Sequence, residues 1–123
     1  MASAAVPAAA DGQASLQLAK RIVLTNPDSG RSVSASTGDD VEVRLTHYRE
    51  RGLNYSWDMP RSSEPTVLRR TSGGSTPAGD ATVTFHGEKA GTVTLSAPRR
   101  CRPDPGSICP LVISPWRVTV TVK

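Results

Sequence analysis

Five segments of this chain carry apolar residues at every second position. Val41, Val43 and Leu45 alternate with Glu42 and Arg44, and Tyr55, Trp57 and Met59 alternate with Ser56 and Asp58. The same period recurs at Ala81, Val83 and Phe85, at Val93, Leu95 and Ala97, and at Val118, Val120 and Val122, each interleaved with Thr, Ser or Arg. A period of two sends alternate side chains to opposite faces of an extended strand, so each segment has one face to bury and one to leave in water. Helical periodicity is absent between them. Shorter candidates lie at 21–25, 32–35 and 65–70, bounded by turn residues such as Asn26-Pro27-Asp28, Gly38-Asp39 and Gly73-Gly74.

Half-buried strands at this spacing predict an all-β protein, an immunoglobulin-like β-sandwich of seven to eight antiparallel strands centred near 21, 41, 55, 66, 81, 92 and 116. The length of 123 residues suits one domain, because two separate cores would each be too small to bury enough apolar surface. We place that domain at 16–123. Residues 1–15, which begin with the small-residue stretch MASAAVPAAADG, read as a disordered leader and lack the basic and leucine-rich regions of an intact signal peptide. No run approaches the roughly 20 apolar residues that span a bilayer.

Cys101 and Cys109, the two cysteines, flank the Pro- and Gly-rich stretch CRPDPGSIC. Neither His47 nor His86 is near them in sequence, so a local disulfide is the expectation and a zinc site is not. Such a bond implies an oxidising compartment, hence a secreted or cell-surface, extracytoplasmic protein. The formal charge of +4 comes mostly from arginine, without the stacked aromatics or lysine stripe of a nucleic-acid binder. Catalysis has no visible basis either. No nucleophile, base and orienting group can be read together, and Thr71-Ser72-Gly73-Gly74-Ser75-Thr76 lacks the Gly-Lys-Ser/Thr ending of a phosphate loop. The expectation is a non-enzyme with no metal or cofactor.

Three stretches carry a family resemblance: Thr37-Gly38-Asp39 leading into VEVRL, Tyr55-Ser56-Trp57, and GDATVTFHGEKAGTVTLSAP from Gly79 to Pro98. With them the chain resembles the chagasin-type inhibitors of papain-like cysteine proteases over about 100 residues. The resemblance implies reversible occlusion of a protease cleft by three loops at one end of the sandwich, by a protein acting as a monomer. In the first loop it assigns Gly52, Leu53, Asn54 and Tyr55; here HYRERGLNYSW replaces the family's Asn-Pro-Thr-Thr-Gly. In the second it assigns Ser72, Gly73 and Gly74. In the third it assigns Arg99, Arg100, Arg102 and Pro103, although Asp104 stands where the family has an aromatic residue.

Independently of the resemblance, Arg49, Arg51, Arg69, Arg70, Arg99, Arg100 and Arg102 are expected to share that end and form a basic rim able to steer an acidic partner. The principal alternative is an extracellular immunoglobulin-like binding or adhesion module with no protease target, since one fold hosts many functions. A third reading presents Arg102 to a serine protease from a substrate-like loop.

Overall fold

The computed structural model describes residues 18–123; the leader read over 1–15 lies outside them. The chain is all-β. Eleven strands form among the described residues, more than the seven to eight expected: β1 (Arg21–Thr25), β2 (Ser32–Ala35), β3 (Asp40–Leu45), β4 (Tyr48–Glu50), β5 (Leu53–Trp57), β6 (Arg61–Ser62), β7 (Leu68–Ser75), β8 (Ala81–Gly87), β9 (Gly91–Ala97), β10 (Arg99–Pro103) and β11 (Trp116–Val122). One four-stranded sheet has the order β1-β3-β8-β7 and another the order β2-β11-β9-β6, while β10-β5-β4 make a three-stranded ribbon.

The sheets are mixed and not wholly antiparallel. β1 runs parallel to β3, and β2 parallel to β11. Alternation reveals which face of a strand is buried but carries no direction. Both exceptions pair strands that no hairpin joins, so nothing local in the sequence marks their sense.

The inward set predicted from the alternation is the observed core. Val41, Val43 and Leu45 from β3 and Ala81, Val83 and Phe85 from β8 meet Val93, Leu95, Val118 and Val120 of the facing sheet, all at most 2% exposed. Trp116 is the largest fully buried side chain, and its indole N–H donates to the Thr25 carbonyl at 3.0 Å. That bond satisfies the ring's one polar atom, as a buried indole requires. A slip of one residue in any of these strands would turn its valines to water, so the register is tightly held.

At the end away from the ribbon the chain turns through Thr37, Gly38 and Asp39. Gly38 has φ +95, a conformation that glycine adopts without steric cost. Asp39 is the one buried polar or charged residue among those described. Its carboxylate accepts from the backbone N–H of Lys20 at 2.9 Å and of Ser36 at 2.8 Å. These two donors hold its pKa below the ordinary carboxylate value.

Asp39→Ala leaves both donors without that acceptor and is expected to lower unfolding stability by about 2–3 kcal/mol near neutral pH. Because the folded pKa is depressed, the contribution is fully present above the unfolded value near 3.9 and is lost as pH falls through the lower folded value. Urea unfolding of both proteins at neutral pH and again near the bottom of that window checks this, the gap between them narrowing at low pH.

Candidate functional site

The ribbon is built where two strands change partner. β9 pairs with β11 as far as Ala97↔Trp116; past Pro98 the chain continues as β10 and pairs with β5, from Arg99↔Trp57 to Pro103↔Leu53. The Asp58 N–H donates to the Pro98 carbonyl at 3.0 Å, which bridges the two pairings. β4 adds to the other side of β5, with Tyr48 opposite Tyr55 and Glu50 opposite Leu53.

The turn between β4 and β5 is only Arg51-Gly52, with φ of 52 and 77. Both residues are left-handed, as a two-residue hairpin turn of the favoured twist requires. The Gly52 carbonyl accepts from the Asp104 N–H at 2.9 Å, and a Cβ on Gly52 would lie 2.5 Å from Ser107 Oγ. The hairpin tip is therefore docked against the turn Asp104–Ser107, where the Ser107 N–H returns to the Asp104 carbonyl at 2.9 Å.

Alternation along the ribbon divides its two faces. On one, Tyr48 and Tyr55 stack with ring centroids 4.8 Å apart, and the Arg99 guanidinium sits 5.1 Å from the Tyr55 centroid and 5.8 Å from that of Trp57. Arg99 Nη1 also donates to the Tyr48 hydroxyl at 2.6 Å. This face lines an open groove of about 430 Å3 that reaches to Ser114, Pro115 and Trp116. On the other face the Asp104 carboxylate accepts from Asn54 Nδ2 at 3.0 Å and is ion-paired with Arg49. Arg49, then Asn54, hold the Asp104 carboxyl below its ordinary pKa. Arg100 forms a two-pronged pair with Asp58, at 2.7 and 2.9 Å.

Cys101 and Cys109 are joined by a disulfide, with Cα atoms 6.1 Å apart. It ties the loop after β10 back onto the ribbon. Closing so short a ring contributes on the order of 2–3 kcal/mol by restricting the unfolded chain. Next to the bond, Ile108, Leu111 and Val112 are 88%, 104% and 82% exposed. Three of the five large exposed apolar residues in the described structure thus fall at this bond, Ile108 inside its ring and Leu111 and Val112 just beyond Cys109. Exposed apolar side chains concentrated in one short stretch make it a candidate interaction surface. Sequence reasoning passed over it, because CPLVISP has no strand period; the available signal was an apolar run placed where only a loop fits.

The predicted site residues divide. Gly52 is at the hairpin tip, and Leu53, Asn54, Tyr55, Arg99, Arg100, Arg102 and Pro103 all lie on the ribbon. They sit on paired strands and not in open loops. Tyr55 is buried, and Arg99 and Arg100 are engaged by aromatics and Asp58. Ser72, Gly73 and Gly74 are not in a loop at all: they occupy β7, opposite Thr84, Val83 and Thr82, after a bulge between Arg70 and Ser72. Gly73 is there for packing, since a Cβ would meet Val83 Cγ2 at 3.1 Å. The true connection from β7 to β8 is Thr76–Asp80, tucked against β5 by a 2.9 Å bond from the Trp57 N–H to the Gly79 carbonyl.

The basic rim is also smaller than expected. Arg69 lies opposite His86, five residues or about 17 Å along β8 from the ribbon end, and is paired with Glu88. Arg70 follows it, opposite Phe85, on the flank. With Arg49 and Arg100 ion-paired and Arg99 stacked, Arg51 and Arg102 remain as the rim arginines without a salt bridge among the described residues, Arg102 lying within the field of Asp104. Arg102 is held in a strand opposite Asn54, so it is not displayed on a substrate-like loop.

Neither a protein-family model nor a curated protein matches the sequence. The fold has solved counterparts. The cysteine protease inhibitor EhICP2 from Entamoeba histolytica matches with a TM-score of 0.61 at 16% identity, over 87% of this chain and 99% of that one. Amebosin matches with a TM-score of 0.53 at 15% identity, over 87% of this chain and 100% of the other. The resemblance to chagasin-type inhibitors is thus borne out at the level of the fold.

The hairpin tip gives a direct test of this geometry. Gly52→Val is expected to destabilise by about 1–2 kcal/mol or more, through the left-handed backbone and the clash with Ser107. Arg51→Asn, which suits the same turn better, is expected to stabilise by about 0.5 kcal/mol. Thermal unfolding of the two variants beside the parent measures both signs.

Proposed function

We propose that this protein is a secreted, non-catalytic, reversible inhibitor of a papain-like cysteine protease, and that the ribbon end of the sandwich enters the protease cleft. The observation that carries the reading is the run of exposed apolar side chains at the disulfide, Ile108 inside its ring and Leu111 and Val112 just beyond Cys109. The similarity in fold to a cysteine protease inhibitor directs the choice of partner.

The physical case rests on preorganisation. A loop fixed at Cys101 and Cys109, and a two-residue hairpin docked on the Asp104–Ser107 turn, lose little conformational freedom on binding, so more of the contact energy appears as affinity. Ile108, Leu111 and Val112 supply apolar area to be covered. Gly52 lets backbone approach closely, and the unpaired Arg51 and Arg102 give a modest positive potential at the mouth. Leu53 and Pro103, opposite each other at the ribbon end, act as braces, and Asn54 works as a latch by holding the Arg102 carbonyl at 3.1 Å and Asp104. The glycines of β7 take no part. The disulfide suits an extracytoplasmic setting.

Leu111→Asp with Val112→Asp places two charges in a surface that must desolvate. Titration against papain with a fluorogenic substrate is expected to show inhibition weakened by at least about 30-fold, with thermal stability unchanged. Gly74→Ala, at a position where an added Cβ meets nothing within 4 Å, is expected to inhibit like the parent. Equal inhibition by the parent and the double Asp variant contradicts the assignment of the loop.

A further inference from the structure

The outer face of the β2-β11-β9-β6 sheet is made of hydroxyls and arginine. Across the strands, Arg61 of β6, Ser96 of β9 and Arg117 of β11 stand in one row. The next outward row is Thr94, Thr119 and Ser32, and the third again holds two threonines and a serine. No acidic side chain belongs to these strands. Arg61 and Arg117 are exposed, have no ion-pair partner among the described residues, and flank a shallow depression of about 380 Å3 floored by Thr94 and Ser96. Two strand spacings separate them, so their Cα atoms are about 10 Å apart. Arg61 also borders the neighbouring depression, where Arg100 is neutralised by Asp58 and Arg70 is the added cation.

The facing sheet shows what neutralised arginines look like. There Arg21 and Arg44 share Glu42, and Arg21 also lies 3.6 Å from Asp40. That sheet pairs Arg21, Arg44 and Arg69 and leaves Arg70, whereas neither arginine of the hydroxyl face is ion-paired among the described residues.

From this contrast we infer a second binding surface, independent of the protease reading: the Arg61–Ser96–Arg117 face binds a sulfated polysaccharide chain. A guanidinium matches the oxygens of a sulfate or sugar carboxylate two at a time, and is more weakly hydrated than an ammonium. Serine and threonine hydroxyls both donate and accept, as the hydroxyls of a sugar ring do. The backbone of this mid-sheet surface is already spent in the β9–β11 ladder, so an acidic peptide cannot add as a strand there. No aromatic ring lies on the face to stack a nucleic-acid base.

The test is titration of a heparin-derived octasaccharide into the full chain at low and at physiological salt. Arg61→Ser with Arg117→Ser is expected to raise the dissociation constant at least about tenfold. Arg51→Ser with Arg102→Ser removes the same charge at the ribbon end and is expected to shift it less than about threefold. Thermal unfolding of both doubles confirms that the sandwich is kept. An equal loss in the two doubles would mean bulk charge alone and overturn the site. So would failure of the octasaccharide to bind, or polyglutamate competing as well as the octasaccharide at equal charge.

Discussion

At Pro98 the chain leaves one partner and takes another, and the upper part of the molecule depends on that exchange. Below it, β9 is an interior strand of a sheet whose valines and leucine fill the core; above it, the same chain direction pairs with β5 in a ribbon that has no second sheet to cover it. Proline suits the junction because its fixed φ and missing N–H interrupt a ladder at little cost where the ladder ends anyway. With the Asp58 N–H bonded to the Pro98 carbonyl, the junction is anchored on both strands.

The three-stranded ribbon meets the hydrophobic core only at its base, through Trp57 and Tyr48, so the rest needs other support, and each form of it is visible. Tyr48 and Tyr55 stack, Arg99 covers Tyr55 and Trp57, the disulfide straps the following loop across, and Asp104 gathers Arg49 and Asn54 on the opposite face. Most of the polar side chains of the ribbon are thus engaged in holding it up. What remains to meet a partner is the tip and the stapled loop, whose apolar side chains have no internal use. Rigidity and availability come from the same construction, since the groups that order the ribbon lie behind the surface that is left open.

The sandwich was legible in the sequence because one face of each core strand is buried and the other wet. β1 and β2 fall on the residues expected, 21–25 and 32–35, and the five alternating segments all contain strands. The ribbon was not. β10 reads Arg-Arg-Cys-Arg-Pro, with no apolar alternation, since neither of its faces enters the core; β4 is too short to show a period. The candidate at 65–70 overlaps the start of β7, but the strand's second half reads as a loop because it is an edge strand, exposed from Arg69 to Ser75, where Gly73-Gly74 looks like a turn although the structural demand at Gly73 is close packing on Val83. The arginine rim failed for a related reason: a linear count cannot tell a free guanidinium from one already paired with Glu88 or Asp58. The apolar loop carried its signal in composition alone, an Ile-Cys-Pro-Leu-Val-Ile run in a place that could not be a strand.

The ribbon end is the proposed contact with a protease, and hydrogen exchange reads that contact without relying on any single substitution. The oxidised protein would be mixed with papain whose active-site cysteine has been made inert by a small alkylating group, and amide protection would be followed along the chain. The expected result is a complex in which protection rises at 48–56 and 99–113 while β2 and the outer residues of β11 are unchanged. Protection confined to the sandwich faces, or a chain that exchanges identically with and without the enzyme, contradicts it.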